Sequence, residues 1–367
     1  MLSSVHAALM GTLKSHFCLS KSRLATFATM ITGLVNGRTV NLAHLASQFS
    51  GSALHSSNYR RLQRFFQHVH LDADAVAHIV VQMLNLSGPW LLALDRTNWK
   101  LGSRDINILM LALVTRRFRV PLLWMLLDHP GNSTTDQRIA LMRRYLALFE
   151  ASSIKLLLAD REFIGSQWMD FLNENNIQFA IRVKVDMCIK VSDDHVWSLK
   201  TLLRRKRARR GAVVMQGSLQ GETKGPHAEL SFAARQLKDG EWLIIATNYE
   251  HPTAALNAYR KRWGVECLFG DAKTRGLNLE DTHLTCPQKL SSLLSIMTLA
   301  ITWSYRCATK VMGRRAIGLK SHNRREKSWF RTGFDTLRNW IIQHPEKAIE
   351  VWLEKYPTSP NKKPKTA

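Results

Sequence analysis

Helical spacing of apolar residues dominates the first 85 positions of the chain. Apolar side chains recur at intervals of three, four and seven residues in two sets, which are Leu42, Leu45, Ala46 and Phe49, and Leu62, Phe65, Phe66 and Val69. This spacing predicts two amphipathic helices, with turn-forming residues at 50–52 and 56–58. The second helix carries Tyr59, Arg60, Arg61 and Arg64 on its other face.

A short helix followed by a basic helix is typical of helix-turn-helix units. We therefore expect Arg60, Arg61 and Arg64 to contact DNA. A plain helical bundle with a solvated basic face would give the same pattern, and this alternative stays open.

The pattern changes at residue 89, where short apolar runs of strand length begin. Predicted strands cover 89–95, 106–114, 120–127, 154–160 and 177–185, and predicted helices cover 134–149 and 166–174. Three strands, a helix, a strand, a helix and a strand form the order of a ribonuclease-H-like mixed sheet, with a meander and two parallel crossovers. The first and fourth strands are neighbours in that fold. Asp95 and Asp160, which end these two runs, should then meet at adjacent strand ends.

Residues 186–250 predict an inserted β-rich subdomain, with short strand-like pieces at 212–215, 228–233 and 242–246. Six of the seven residues at 204–210 are cationic, and the first four are Arg204, Arg205, Lys206 and Arg207. We expect this run to contact a phosphate backbone, although basic runs are often solvated loops.

Helical patterns return at 289–310, 330–342 and 345–354. The chain is therefore predicted to be an α/β protein with five segments. They are a helical DNA-binding region at 1–88, the first part of a catalytic core at 89–185, the insertion at 186–250, the second part of the core at 251–312, and a basic C-terminal helical region with a flexible tail at 313–367.

Charge narrows the choice of partner. The chain has 52 Lys and Arg residues against 28 Asp and Glu, so the net charge is +24. This excess predicts a polyanionic partner, first nucleic acid and second an anionic membrane surface. No membrane-spanning segment is expected, because Arg116, Arg117 and Arg119 interrupt the apolar run at 106–127. No secretory signal pattern is present at the N-terminus, and the five dispersed cysteines predict reduced thiols in a cytosol.

Residues 259–273 contain the most specific pattern in the sequence. Tyr259, Arg262, Glu266 and Lys273 stand at offsets of three, seven and fourteen from the first, which predicts one face of a single helix. A carboxylate among a phenol and two cations suits a metal ion beside a phosphodiester. An amphipathic surface helix of a basic protein is the alternative.

The spacing Y-x2-R-x3-E-x6-K resembles the signature of the IS-four family of bacterial insertion-sequence DDE transposases. Asp160-Arg-Glu resembles the second-aspartate motif of that family, and Asp95-Arg-Thr resembles the first. The resemblance covers about residues 90–276. It implies that Asp95, Asp160 and Glu266 are catalytic metal ligands, and that Tyr259, Arg262 and Lys273 contact phosphates at the transposon end.

The resemblance also implies a role for Trp242, in Glu-Trp-Leu-Ile-Ile-Ala-Thr, as the ring that stacks on a flipped base. Packing inside the insertion is the alternative for Trp242. Trp263, in the signature stretch, is expected to pack in the core. Glu162 is expected to form a salt bridge, although it could also be a fourth acidic group of the site.

Three clustered carboxylates repel one another unless a cation neutralises them, so we expect Mg²⁺, with Mn²⁺ as a substitute. Two ions would serve an in-line displacement at phosphorus by water or a 3′-hydroxyl.

Members of the family cut transposon ends, form and reopen a hairpin, and join the ends to target DNA. The resemblance thus implies double-stranded DNA partners (inverted-repeat ends and target), a homodimer in the synaptic complex, and a location in the bacterial cytoplasm, associated with the nucleoid. A non-catalytic regulator or inhibitor of transposition would need only the basic helices. A ribonuclease-H-like nuclease of repair or defence would share the acidic site.

Overall fold

The structure is a computed structural model that describes residues 2–85, 88–192, 195–205, 211–219, 228–313, 315–321, 323 and 325–354. The chain forms two compact units. The helical unit comprises Met1–Ser87, Trp99–Arg104 and Leu268–Ala367, and the sheet unit comprises Gly88–Asn98 and Asp105–Cys267. The division of the chain into five segments, expected from the sequence, remains a prediction.

Helices account for most of the helical unit and flank the strands of the sheet unit. They are α1 (Leu2–His16), α2 (Lys21–Gly37), α3 (Leu42–Ala46), α4 (His55–His68), α5 (Ala73–Leu84), α6 (Thr135–Leu148), α7 (Ser166–Glu174), α8 (Leu199–Arg205), α9 (Pro252–Tyr259), α10 (Trp263–Ala272), α11 (Pro287–Met312), α12 (Trp329–Gln343) and α13 (Pro345–Leu353). The strands are β1 (Trp90–Leu101), β2 (Arg104–Val114), β3 (Arg119–Leu127), β4 (Ile154–Ala159), β5 (Phe179–Val183), β6 (Cys188–Ser192), β7 (His195–Ser198), β8 (Val213–Leu219), β9 (Glu229–Gln236) and β10 (Trp242–Thr247).

Helix α11 forms the core of the helical unit. Its residues from Leu290 to Ala308 are almost all buried, including Trp303 and Tyr305 at 0% exposure. Helices α2, α5, α12 and α13 all contact α11, so the N-terminal and C-terminal helices share one core. None of the described helices combines the length and apolar character that crossing a bilayer requires. All five cysteines are described and have free thiols.

The strands described in the structure form one mixed sheet in the order β3-β2-β1-β4-β5-β10-β9-β8-β6-β7. The first five positions of this order confirm the predicted arrangement, since β1 lies beside β4 and the two are parallel. Helices α6 and α7 supply the crossovers from β3 to β4 and from β4 to β5. Thr134 caps α6 in a capping box with Gln137, which explains why the helix begins where the sequence predicted.

Strand β1 is longer than predicted. The sequence indicated that the strand ends at Asp95, but it continues for six more residues to Leu101. Beyond Asp95, buried Thr97 and Trp99 alternate with exposed Asn98 and Lys100. This is the period of a strand with one solvated face, a pattern that an apolar-run criterion misses.

The predicted strand-like pieces of the insertion are β8, β9 and β10. Hydrogen bonds add them to the same sheet, because β10 pairs antiparallel with β5 and with β9. Their separation as a subdomain therefore stays a prediction. Arg204 and Arg205 end α8, whereas Lys206, Arg207 and the rest of the cationic run lie outside the described residues.

Candidate active site

Three carboxylates of the sheet unit come from three different elements. Asp95 lies on β1, Asp160 directly follows β4, and Glu266 lies in the first turn of α10. Parallel pairing of Leu94 with Ala159 places the backbone positions of Asp95 and Asp160 next to each other. The predicted meeting of the two aspartates is thus set by the register of the central strands.

One guanidinium joins all three carboxylates. Nη1 of Arg262 lies 3.0 Å from Oδ2 of Asp95, and Nη2 lies 3.9 Å from Oδ2 of Asp160. Nη2 also donates a hydrogen bond to Oε1 of Glu266. Arg262 is 8% exposed. A buried cation at the centre of three acids shows that Asp95, Asp160 and Glu266 converge in space.

Tyr259 completes the polar cluster. Its hydroxyl donates to Oδ1 of Asp160 at 3.4 Å, and its ring lies 5.9 Å from the guanidinium carbon of Arg262. Burial raises the pKa of Tyr259 well above its usual value. The phenol is therefore a hydrogen-bond donor at neutral pH. Tyr259 and Arg262 both face the carboxylates.

The signature stretch does not form the single helix that the sequence predicted. Helix α9 ends at Tyr259, a 3-10 turn spans Arg260–Arg262, and α10 begins at Trp263. A 3-10 turn has fewer residues per turn than an α-helix, so the side chains on either side of it do not keep one helical face. The interruption falls at Arg262, the residue that is turned into the acidic cluster.

Asp95 has a carboxyl group whose pKa is shifted by its surroundings. Burial raises its pKa to about 6, while the backbone N–H of Arg96, 2.8 Å away, and the charge of Arg262 both act to lower it. Glu162 and Glu266 add to the upward shift through repulsion. The backbone N–H of Arg96 and the charge of Arg262 thus favour the ionised form of Asp95 against its burial.

Glu162 forms the predicted salt bridge. Its Oε1 lies 3.3 Å from Nε of Arg96. The same guanidinium donates to Oδ1 of Asn107 at 3.1 Å and Oδ1 of Asn132 at 3.3 Å. Arg96 therefore holds Glu162 beside the Asp95 strand, and Arg262 makes the contacts to the three carboxylates.

A protein-family model described as "Transposase DDE domain" matches residues 86–303, which is more than half of the chain and includes all three carboxylates. The chain belongs to the DDE transposase domain family. A search of curated proteins gave no match.

The sheet unit of this transposase also contains a basic cavity of about 700 Å³. Trp242 lines it, together with the basic residues Arg161, Arg182, Lys184, Lys200 and Arg204, and the acidic residues Asp186 and Glu241. Five cations against two anions favour an anionic occupant. Arg161 adjoins Asp160 in the chain, so the cavity begins one residue from the acidic cluster.

Lys273 belongs to the helical unit. Its Nζ lies 2.8 Å from Oε1 of Glu280 and 5.3 Å from the ring centre of Trp99. It directly follows α10 and is not part of a helix that contains Tyr259. Its expected phosphate contact remains a prediction.

Trp263 does not pack in the core as expected, because it is 62% exposed. Helix α10 instead presents Gly264 and Val265 to the interior, where Gly264 lies against Val114 and Arg119. Residues that are adjacent in a helix point about 100° apart, so burial of this face leaves Trp263 outside.

The three arginines nominated on α4 differ in their surroundings. Arg60 and Arg64 are exposed. Arg61 donates from Nε to Oγ1 of Thr26 at 2.8 Å and from Nη2 to the carbonyl of Ser22 at 3.2 Å, which ties α4 to α2. Arg61 thus has a structural role that sequence reasoning missed.

Arg205, at the end of α8, places its guanidinium 4.0 Å from the ring centre of Trp197.

The donor set of the acidic cluster suits a hard divalent cation, because it consists of carboxylate oxygens that already surround one positive group. Within the described residues, however, no three Asp, Glu, His or Cys side chains are placed to hold one ion together. The guanidinium of Arg262 occupies the centre and spaces the oxygens around itself. The carboxylate oxygens of the cluster are therefore suitable metal ligands, but in this structure the guanidinium of Arg262 lies between them.

Proposed function

We propose that this DDE transposase binds the inverted-repeat ends of an insertion sequence, cleaves the strands there and transfers them into target DNA. The observation that carries the proposal is the convergence of Asp95, Asp160 and Glu266 at one cation, on a sheet of ribonuclease-H-like order. The finer assignment to the IS-four family rests on the Y-x2-R-x3-E-x6-K spacing and is part of the proposal.

Asp95, Asp160 and Glu266 would hold Mg²⁺, or Mn²⁺ in its place, as two ions. When bound, such ions supply Lewis-acid activation of an attacking oxygen and stabilise the leaving oxygen. The chain contributes the rigid placement of the acids: two follow the paired residues of central strands, and the third lies in the first turn of a helix. The Tyr259 hydroxyl orients Asp160 by donating to its other oxygen.

Trp242 is proposed as the ring that holds a flipped base during hairpin formation. The basic cavity beside it supports this role, because a nucleotide needs cations for its phosphate and an aromatic surface for its base. Stacking of this kind contributes about 1–3 kcal/mol per base. Phosphates of the end would contact Tyr259, Arg262, Lys273 and the cations at 204–207.

The transposase is proposed to work as a homodimer on two ends at the bacterial nucleoid, since two ends must be joined to one target. The basic helix α4 would add contacts to the duplex of each end. The net charge of +24 supports a polyanionic partner.

The test is a gel assay with purified protein and a labelled duplex that carries the repeat flanking the gene, in Mg²⁺, Mn²⁺ or EDTA. Wild-type protein should nick the duplex and form a hairpin only with metal. Glu266→Gln should bind the duplex and cut nothing. Trp242→Ala should nick without forming the hairpin, and Trp242→Phe should recover it because the ring is kept.

The matched control is Glu174→Gln, which makes the same chemical change at an exposed position at the end of α7. It should cut like wild type. Retained cleavage by Glu266→Gln would falsify the role of that carboxylate. Binding without any cleavage by the wild-type protein would instead favour a non-catalytic regulator, and cleavage without joining or preference for repeat ends would favour a nuclease.

A further inference from the structure

Arg262 is a buried arginine whose ion-pair partners are all acidic residues of the candidate site. Its Nη1 contacts Asp95, and its Nη2 contacts Asp160 and Glu266. The side chains of these partners are 14%, 30% and 34% exposed, while that of Arg262 is 9% exposed. The side chain of the cation is thus less exposed than that of any of its three acidic partners.

In the absence of metal, the three acids need another cation to offset their mutual repulsion. Like charges held together in a partly buried place repel strongly, and one guanidinium reduces that repulsion by pairing with each acid. Charge-assisted hydrogen bonds from the planar guanidinium are also directional. The guanidinium therefore holds the carboxylates in place as well as neutralising them.

We propose that Arg262 is the resident counter-cation of the metal-free site, and that it competes with divalent ions for the same carboxylate oxygens. The proposal deepens the proposed function and rests on it. Arg262 must leave the centre before Asp95, Asp160 and Glu266 can hold an ion together. In the metal-free protein, Arg262 keeps the three carboxylates close together in the folded state.

The proposal also puts two roles of Arg262 in competition. Both Nη atoms contact carboxylates in this structure. A guanidinium has five N–H donors, and those that pair with the acids are not available to a phosphate. Bidentate contact with a phosphate through both Nη atoms would therefore require Arg262 to give up contacts with the acids.

The experiment is a Mn²⁺ titration of the full chain without DNA, read by the electron paramagnetic resonance signal of free Mn²⁺. Arg262→Gln keeps a hydrogen-bonding side chain of similar shape and removes the competing charge. It should bind Mn²⁺ about tenfold more tightly than wild type, or better, because three carboxylates lose their internal partner. Arg262→Lys, which keeps the charge, should stay near the wild-type affinity.

The matched control is Arg96→Gln. It removes the same charge one residue from Asp95, but its side chain pairs with Glu162 and not with the three acids. A general electrostatic effect would tighten Mn²⁺ binding equally in both variants. The proposal expects a change of less than about threefold for Arg96→Gln, because the guanidinium of Arg96 contacts Glu162 and none of the three carboxylates.

Thermal unfolding gives a second measurement. Metal-free Arg262→Gln should unfold at a lower temperature than wild type, and Mn²⁺ should raise its Tm more than it raises that of wild type. A lower Tm with unchanged Mn²⁺ affinity would mean that Arg262 is only structural, and the proposal would be wrong. If the wild-type protein nevertheless cuts repeat ends with metal, the proposed function stands and only this inference fails. If neither wild type nor any variant cuts DNA or binds Mn²⁺, both the proposed function and this inference are wrong.

Discussion

At the scale of single residues, Arg138 fixes the backbone that follows Asp160. Arg138 is 5% exposed on α6, and its Nη2 donates to the carbonyls of Ser133 at 2.6 Å and Glu162 at 2.9 Å. Its Nη1 donates to the carbonyl of Ile164 at 3.3 Å. One buried cation thereby satisfies three carbonyls in irregular backbone beside the acidic cluster.

Arg138→Gln should therefore destabilise the sheet unit by about 2–3 kcal/mol, because hydrogen bonds from a charged donor are lost and buried carbonyls are left unpaired. The free energy of unfolding in urea measures this loss. Arg143→Gln on the same helix is the matched control, since Arg143 is exposed and lies 5.8 Å from the ring centre of Phe171. It should cost no more than about 1 kcal/mol. Equal losses in the two variants would contradict the role given to Arg138.

The acidic residues could be nominated from sequence, but the partner of the acids could not. Asp95 and Asp160 end apolar runs, Glu266 stands in a spaced motif, and the resemblance to the IS-four family joined the three as metal ligands. Arg262 stands four residues before Glu266, which permits an ion pair along a helix. Its contact with Asp95, 167 positions away, exists only once the sheet has formed. The sequence therefore assigned Arg262 to DNA alone.

At the scale of elements, a glycine sets the approach of α12 to α11. A Cβ added at Gly333 would lie 1.8 Å from the carbonyl oxygen of Ser304 and 2.8 Å from Cβ of Ala308. Backbone of α11 fills the place of the missing side chain. Helices α11 and α12 can pack this closely only because residue 333 is glycine.

Gly333→Ala tests this packing through the sign of its effect. Helix propensity alone predicts a gain of about 1 kcal/mol for alanine inside a helix. Steric overlap predicts a loss of about 1–3 kcal/mol or more, and we expect the loss. Gly11→Ala in α1 is the control, because a Cβ there meets nothing within 4 Å and should stabilise. Chemical denaturation of both variants decides the matter, and a gain at both positions would disprove the close packing.

Periodicity predicted most elements within a few residues, and its two errors have different origins. The extension of β1 past Asp95 follows a local alternation of buried and exposed residues that an apolar-run criterion misses. The 3-10 turn at Arg260–Arg262 contains Arg262, whose contacts reach Asp95 and Asp160 on distant parts of the chain. The run of cations and apolar residues at 259–273 fits a helix locally, and nothing in the spacing reveals that Arg262 will be drawn towards three acids. Pairing of β10 with β5 was likewise invisible, because β-pairing partners are not encoded in a strand's own pattern.

At the scale of the whole molecule, the charge of +24 predicts salt-dependent DNA binding but not which cations bind. The net charge does not distinguish Arg60, Arg61 and Arg64. In the structure, Arg61 donates hydrogen bonds to α2, whereas Arg60 and Arg64 are exposed. Only exposed cations can release counterions from a phosphate backbone on binding.

Arg64→Gln should thus weaken duplex binding at all sequences and lower the magnitude of the slope of log affinity against log salt by about 1. Arg60→Gln should do the same. Arg61→Gln should leave that slope unchanged and cost about 1 kcal/mol of stability, because its hydrogen bonds join two helices. Fluorescence anisotropy over a range of salt concentrations measures the slopes. Equal slopes for all three variants and wild type would mean that α4 does not meet the phosphate backbone. The charge that binds DNA would then lie on other segments of the chain, and α4 would be a structural helix with a solvated basic face.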